Sequence, residues 1–200
     1  MRQDKKESIL STAKQMFDRY GIRKTNLDEV AKRARVAKAT IYNYFGNKDQ
    51  VYIEVLKRQA NEVIEKLSDA IEQVKSPLEK FKAFIYTRFR QMREAMSVLD
   101  VYHDWNIPIS SKVKNVRELF FERETKILQK ILEDGAKEGV FYGDNVVLTV
   151  RAIGRLIRGL ELSLALEQGN RGDMDRELDG LFDILCKGIL SKKEEKQYAQ

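Results

Sequence analysis

Proline occurs only twice in this chain, at Pro77 and Pro108. Proline breaks helix interiors, so almost the whole length is open to long helices. Strand-like alternation of β-branched and aromatic residues is hard to find, and apolar residues recur at helical spacing instead. Ile9, Leu10, Ala13, Met16, Phe17 and Tyr20 fall on one such stripe. The expectation is an all-α protein. Its 200 residues, 42% of them apolar, suffice for a real core in one large domain or two small ones.

Punctuation residues divide the chain. Residues 4–20 read as a first helix that stops at Gly21. Asn26 and Glu29 fit a capping pattern for a short second helix, with Leu27, Val30, Ala31 and Ala34 on its apolar side. Residues 37–45 make a third after a brief turn, the spacing of a helix-turn-helix. Asn47 with Gln50 opens a long fourth helix that runs to about Val74. Ser76-Pro77 restarts the chain, because proline suits a first helical turn. Further helices are expected over 78–98, 111–137, 145–167 and 174–191, with "EQGNRGD" linking the last two.

Charge is distributed unevenly. Residues 1–50 hold 12 Lys+Arg against 6 Asp+Glu, and the rest of the chain holds 25 of each. The whole net charge of +6 therefore lies in the N-terminal quarter. One end is built to meet a polyanion and the other is not. Cys186 is the only cysteine, so no intramolecular disulfide forms, and its apolar surroundings predict a buried thiol. No apolar run reaches the length of about 20 residues that spans a bilayer. No apolar segment follows Met1 as a secretory signal would require. A soluble, cytoplasmic protein is expected.

The stretch "AKATIYNYFGNKDQ" at residues 37–50 carries more aromatics than a short helix can bury. Ile41 and Phe45, four apart, can share the inward face. Tyr42 cannot point the same way, so Tyr42 and Tyr44 are expected outside, where a phenol packs on sugar and donates to phosphate. Lys38, Thr40 and Asn43 add donors around them. Lys48 opens the next helix, whose free N–H groups also attract phosphate.

The segment "YGIRKTNLDEVAKRARVAKATIYNYFGNKDQVYIEVL" resembles the N-terminal domain of the TetR family of transcriptional regulators. The resemblance covers about residues 8–56. It implies phosphate contacts for Thr25, Thr40, Tyr42, Tyr44 and Lys48, and places Lys38, Ala39 and Asn43 near bases. It implies a double-stranded operator, a homodimer and a small-molecule effector, with no cofactor. Two departures matter. Arg35 stands where glycine normally takes a left-handed conformation, at a cost of roughly 1 kcal/mol. Ala37 replaces the usual serine cap of the third helix, a loss of ~1 kcal/mol. The expected division is a helix-turn-helix domain over 1–46 and a ligand-binding and dimerisation domain over 47–200, with the fourth helix as connector.

In the larger domain, "VVLTVRAIGRLIRGLELSLA" and "LDGLFDILCKGIL" are apolar around much of their circumference. A helix apolar on several sides is buried on several sides. Ile153, Ile157, Leu160, Leu164, Leu178, Leu181, Phe182, Leu185 and Ile189 are the expected dimer contacts. Phe84, Arg88, Met92, Tyr102, His103, Trp105, Phe120, Phe121 and Arg155 mix aromatic and polar groups as effector pockets do. His103 is the only histidine and has no second ligand at suitable spacing, so no metal site is expected. No phosphate loop or nucleophile motif suggests an enzyme. The rival readings are a DNA binder without sequence preference and a transcriptional activator.

Overall fold

The computed structural model describes the backbone of residues 2–95, 111–166 and 174–189. Eight helices account for most of these residues: α1 (Arg2–Lys24), α2 (Leu27–Arg33), α3 (Lys38–Phe45), α4 (Lys48–Glu72), α5 (Pro77–Ala95), α6 (Ser111–Lys137), α7 (Val146–Leu166) and α8 (Met174–Ile189). The all-α expectation holds, and the predicted boundaries lie close to the observed ones.

The caps explain where the helices begin. Asn26 accepts from the Asp28 N–H at 2.9 Å and starts α2. Asn47 accepts from Gln50 N–H at 2.9 Å and starts α4. Ser76 and Glu79 close a reciprocal box ahead of α5: the Glu79 N–H donates to Ser76 Oγ at 3.2 Å and the Ser76 N–H to Glu79 Oε2 at 3.3 Å. The Ser76 bonds hold the Glu79 carboxyl below its usual range. Each cap satisfies amides that the helix leaves without partners. α3 has no side-chain cap, as Ala37 implies.

Helix ends follow equally local rules. Gly21, at φ 75°, interrupts α1 three residues before it ends. At the end of α2, the Val36 N–H reaches Ala31 O at 3.0 Å and the Arg35 N–H reaches Lys32 O at 3.3 Å. That is the Schellman pattern, and it needs a left-handed residue between them. Arg35 supplies it at φ 54°, the only non-glycine residue with positive φ among those described. The end of α6 repeats the pattern with a glycine: Val140 N–H to Gly135 O at 2.8 Å, Gly139 N–H to Ala136 O at 3.1 Å, and Gly139 at φ 75°.

The chain forms two compact units, Met1–Glu62 with Glu94–Glu118 and Val63–Arg93 with Leu119–Gln200. The first extends past residue 46, because Val51, Tyr52, Val55 and Leu56 of α4 complete its core with Ile9, Phe17, Val30 and Ile41. Tyr52 meets Phe17 edge-on at 5.5 Å. The second unit packs Phe81, Phe84, Ile85, Leu128, Leu132, Ile153, Ile157, Phe182 and Cys186. Cys186 is buried there, as expected. Among the described residues no helix is long and apolar enough to cross a membrane.

Candidate nucleic-acid interface

The eight residues of α3 divide cleanly by face. Ile41 and Phe45 are buried against α1, α2 and α4 in the first core. Burial of two large apolar side chains, worth about 1.5–3 kcal/mol each, fixes which side looks outward. That side carries Lys38, Ala39, Tyr42 and Asn43, all exposed, with Tyr42 at 43%. Thr40 is half-buried at its edge. A lysine, a phenol and an amide thus stand together on a short helix of a basic unit.

Three expected contacts are placed differently from one another. Tyr44 is half-buried: it packs against the core with its ring 6.0 Å from Phe45, so it is not the freely exposed phenol expected. Its position three residues after Ile41 turns it toward the buried stripe. Thr25 is placed farther inward. It is 3% exposed, and its hydroxyl bonds to Gly21 O at 2.8 Å and Met16 O at 3.2 Å. Its N–H also donates to Gly21 O, at 3.2 Å. Thr25 therefore fastens the α1–α2 corner rather than offering an exposed donor. Lys48 is half-buried and donates to Arg23 O at 3.3 Å and Thr25 O at 3.2 Å. It ties the start of α4 to the same corner, leaving one of its three N–H groups.

Lys38 has a partner that the sequence pattern did not reveal. Its Nζ lies 2.6 Å from Asp28 Oδ1 and 5.9 Å from the centre of the Tyr42 ring. The hydrogen bond that Lys38 donates to the Asp28 carboxylate raises the Lys38 pKa above its ordinary value. Other carboxylates of this unit engage Lys6, Lys14, Lys57 and Arg58.

In the second unit, the expected effector residues separate. Phe84 and Arg88 are buried, and Phe120 and Phe121 are half-buried neighbours at 5.6 Å. Arg88 lies over the Phe120 ring at 5.3 Å. Arg155 is exposed on α7, so it does not face inward with them. The side chain of Met92, with Tyr102, His103 and Trp105, lies outside the described residues. Sequence reasoning missed the group that neutralises Arg88: Glu124, itself buried, accepts from Arg88 Nε. Gln91 and Thr87 are buried on α5 too, and Lys66 donates to Gln91 Oε1 at 2.7 Å. One signal was available, since Glu124 occupies the apolar register set by Val116, Phe120, Leu128 and Ile131.

Most of the residues expected at a dimer contact pack within their own unit. Ile153, Ile157, Phe182, Leu185 and Ile189 are buried in their own unit, and Leu160 and Leu181 pack half-buried against them. The side chains of Leu164 and Leu178 lie outside the described residues. Strong apolar periodicity reports burial, not the molecule that does the burying. Among the described residues, the large exposed apolar side chains of α7 and α8 are Val147, Leu148 (59%), Leu156 (48%) and Ile184 (69%). Ala152 is exposed with them, and a side chain added at Gly159, Gly180 or Gly188 would meet only open space.

Comparisons with known proteins converge on one group. The family model described as "Bacterial regulatory proteins, tetR family" matches residues 9–55. The HTH-type transcriptional regulator YhgD of Bacillus subtilis is 29% identical over 139 residues, 68% of this chain and 71% of that protein. The HTH-type transcriptional repressor KstR2 of Mycobacterium tuberculosis is 23% identical over 151 residues, 75% of this chain and 74% of that one. The solved structure of the fatty acid degradation regulator FadR from Bacillus halodurans shares the fold, with a TM-score of 0.74 and 19% identity over 91% of this chain and 98% of that one. A basic helix-turn-helix presenting α3 outward and a sequence match over residues 9–55 agree: the N-terminal reading head is of the type found in the tetR family of bacterial regulatory proteins.

Proposed function

We propose that this chain is a repressor that binds a pseudo-palindromic operator as a homodimer and is released by a small molecule. The observation that carries the reading is α3, which buries Ile41 and Phe45 and turns Lys38, Ala39, Tyr42 and Asn43 outward. In a helix-turn-helix the second helix enters the major groove and its N-terminal residues meet base edges. Lys38 and Asn43 are the base readers in this reading. Tyr42, Thr40 and the remaining N–H of Lys48 position the head on phosphates.

Two heads must lie about one DNA turn apart, roughly 34–36 Å, to read both half-sites. The second copy is held by the exposed stripe of Leu148, Ala152, Leu156 and Gly159 on α7 and Gly180, Ile184 and Gly188 on α8. Exposed aliphatics supply apolar area, and the glycines let helix backbones approach closely. The effector binds in the second unit beside Phe84, Arg88, Phe120 and Phe121. An anionic effector would have to compete with Glu124 for Arg88. Release follows only if the effector favours the conformation that cannot span both half-sites.

The test is selection of sheared genomic DNA by the purified protein at physiological salt, followed by footprinting. A protected palindrome with half-sites one turn apart is expected. Uniform weak retention of all fragments would instead favour a binder without sequence preference.

A further inference from the structure

Asp28 and Glu29 are the only acidic residues between Leu27 and Phe45. Asp28 sits in the first turn of α2, where the bond from its own N–H to Asn26 Oδ1 fixes the backbone. Its carboxylate holds the ammonium of Lys38, the first residue of α3, at 2.6 and 2.9 Å. Both side chains are about half exposed, so the pair lies on the surface and not within the core. A fixed negative charge on a face that meets a polyanion opposes binding unless it has another use.

We propose that Asp28 restrains binding to duplex of arbitrary sequence by holding Lys38 away from phosphate. This rests on reading α3 as the DNA-contacting helix. Non-specific binding is driven by cations that replace the counterions of phosphates. A lysine that leaves Asp28 for a phosphate exchanges one anion for another, and leaves the carboxylate unpaired beside the backbone. Lys38 therefore contributes little to such binding while Asp28 is charged. A guanine edge is a different partner, because O6 and N7 offer directional bonds in addition to the phosphate contacts made elsewhere on the head. Asp28 thus sets the contrast between arbitrary and cognate sequence without touching a base. Glu7, Asp18 and Glu54 have no such role, because they hold their cations on α1 and α4 and not across the two helices of the motif.

The experiment uses the full chain and a duplex of randomised sequence, with affinity followed by fluorescence anisotropy between 50 and 200 mM salt. Asp28→Asn is expected to bind more tightly, with a salt slope steeper by about 0.9, the value of one added phosphate contact. The gain at 50 mM is then roughly threefold larger than at 200 mM. Asp28→Glu should restore wild-type behaviour, and Lys38→Met in the Asp28→Asn background should abolish the gain. An unchanged slope in Asp28→Asn, or a gain that survives Lys38→Met, overturns the restraint. Either result with normal wild-type binding leaves the DNA-binding reading intact. A wild-type protein that retains no duplex at 50 mM salt removes that reading and the restraint together.

Discussion

Glu124→Gln removes a charge from the most enclosed polar site of the second unit while nearly preserving side-chain volume. Arg88 is 2% exposed and the Glu124 side chain 5%, so water cannot take over the lost role. Breaking one side of such a pair typically costs 3–5 kcal/mol, because the remaining charge stays buried without its counter-charge. Gln retains an acceptor for Arg88 Nε, which places the expected loss near the lower end, about 3 kcal/mol. Folded domains have only about 5–15 kcal/mol in total. With a urea dependence of roughly 2.5 kcal/mol per molar, the unfolding midpoint falls by about 1 M. The assay is urea denaturation at pH 7 followed by far-ultraviolet circular dichroism. The double variant Arg88→Met/Glu124→Leu should recover most of the loss, because replacing a whole buried pair with apolar groups is often neutral or stabilising. A midpoint shift below about 0.3 M in Glu124→Gln would refute the reasoning, since it would mean that Arg88 does not depend on Glu124 for its charge. A double variant as weak as the single one would refute the electrostatic origin.

Three other outcomes are accessible to direct measurement. Arg35→Gly should raise the melting temperature by up to about 3 °C, because relief of a left-handed non-glycine residue of about 1 kcal/mol is partly offset by the freer unfolded chain; a fall would show that the guanidinium contributes more to the fold than its backbone costs. Gly135→Ala should destabilise by about 1–2 kcal/mol in urea titration despite alanine's better helix propensity, since the new Cβ would lie 2.2 Å from the buried Phe141 ring and 3.0 Å from Pro77 Cβ. Tyr86, pushed up to about 12 by burial and by its hydrogen bond to Asp179, keeps its proton longer in the folded state than in the unfolded one. Its contribution is complete below pH 10 and is lost as pH rises toward 12, so Tyr86→Phe should remove a phenol that ionises near pH 12 from the ultraviolet titration.

The helices were legible because their signals are local. Asn26, Asn47 and Ser76 announce the starts of α2, α4 and α5, and Gly21 marks the bend near the end of α1. The outward face of α3 followed from the four-residue spacing of Ile41 and Phe45. Arg35 was legible as a left-handed residue because a family pattern supplied the expected glycine. What escaped was relational. Thr25 looked like an exposed donor because its carbonyl partners, Met16 and Gly21, lie across a chain reversal. The pairing of Lys38 with Asp28 spans ten residues and a turn, outside any helical neighbour rule. Ile153, Ile157 and Phe182 were recognisably buried, but an apolar stripe carries no mark distinguishing the interior of one subunit from contact with another. Glu124 could have been found, because a carboxylate in an apolar register demands a cation nearby.

The two Schellman ends of this chain, one closed by Gly139 and the other by Arg35, have an unequal genetic neighbourhood. Every arginine codon lies one base change from a glycine codon, so the residue that relaxes the backbone at 35 is always a single mutational step away. The position is therefore an accessible fork: the change that relaxes the backbone also removes an exposed cation from the basic unit. A library of single-base variants sorted for heat resistance is expected to enrich the Arg35→Gly clone.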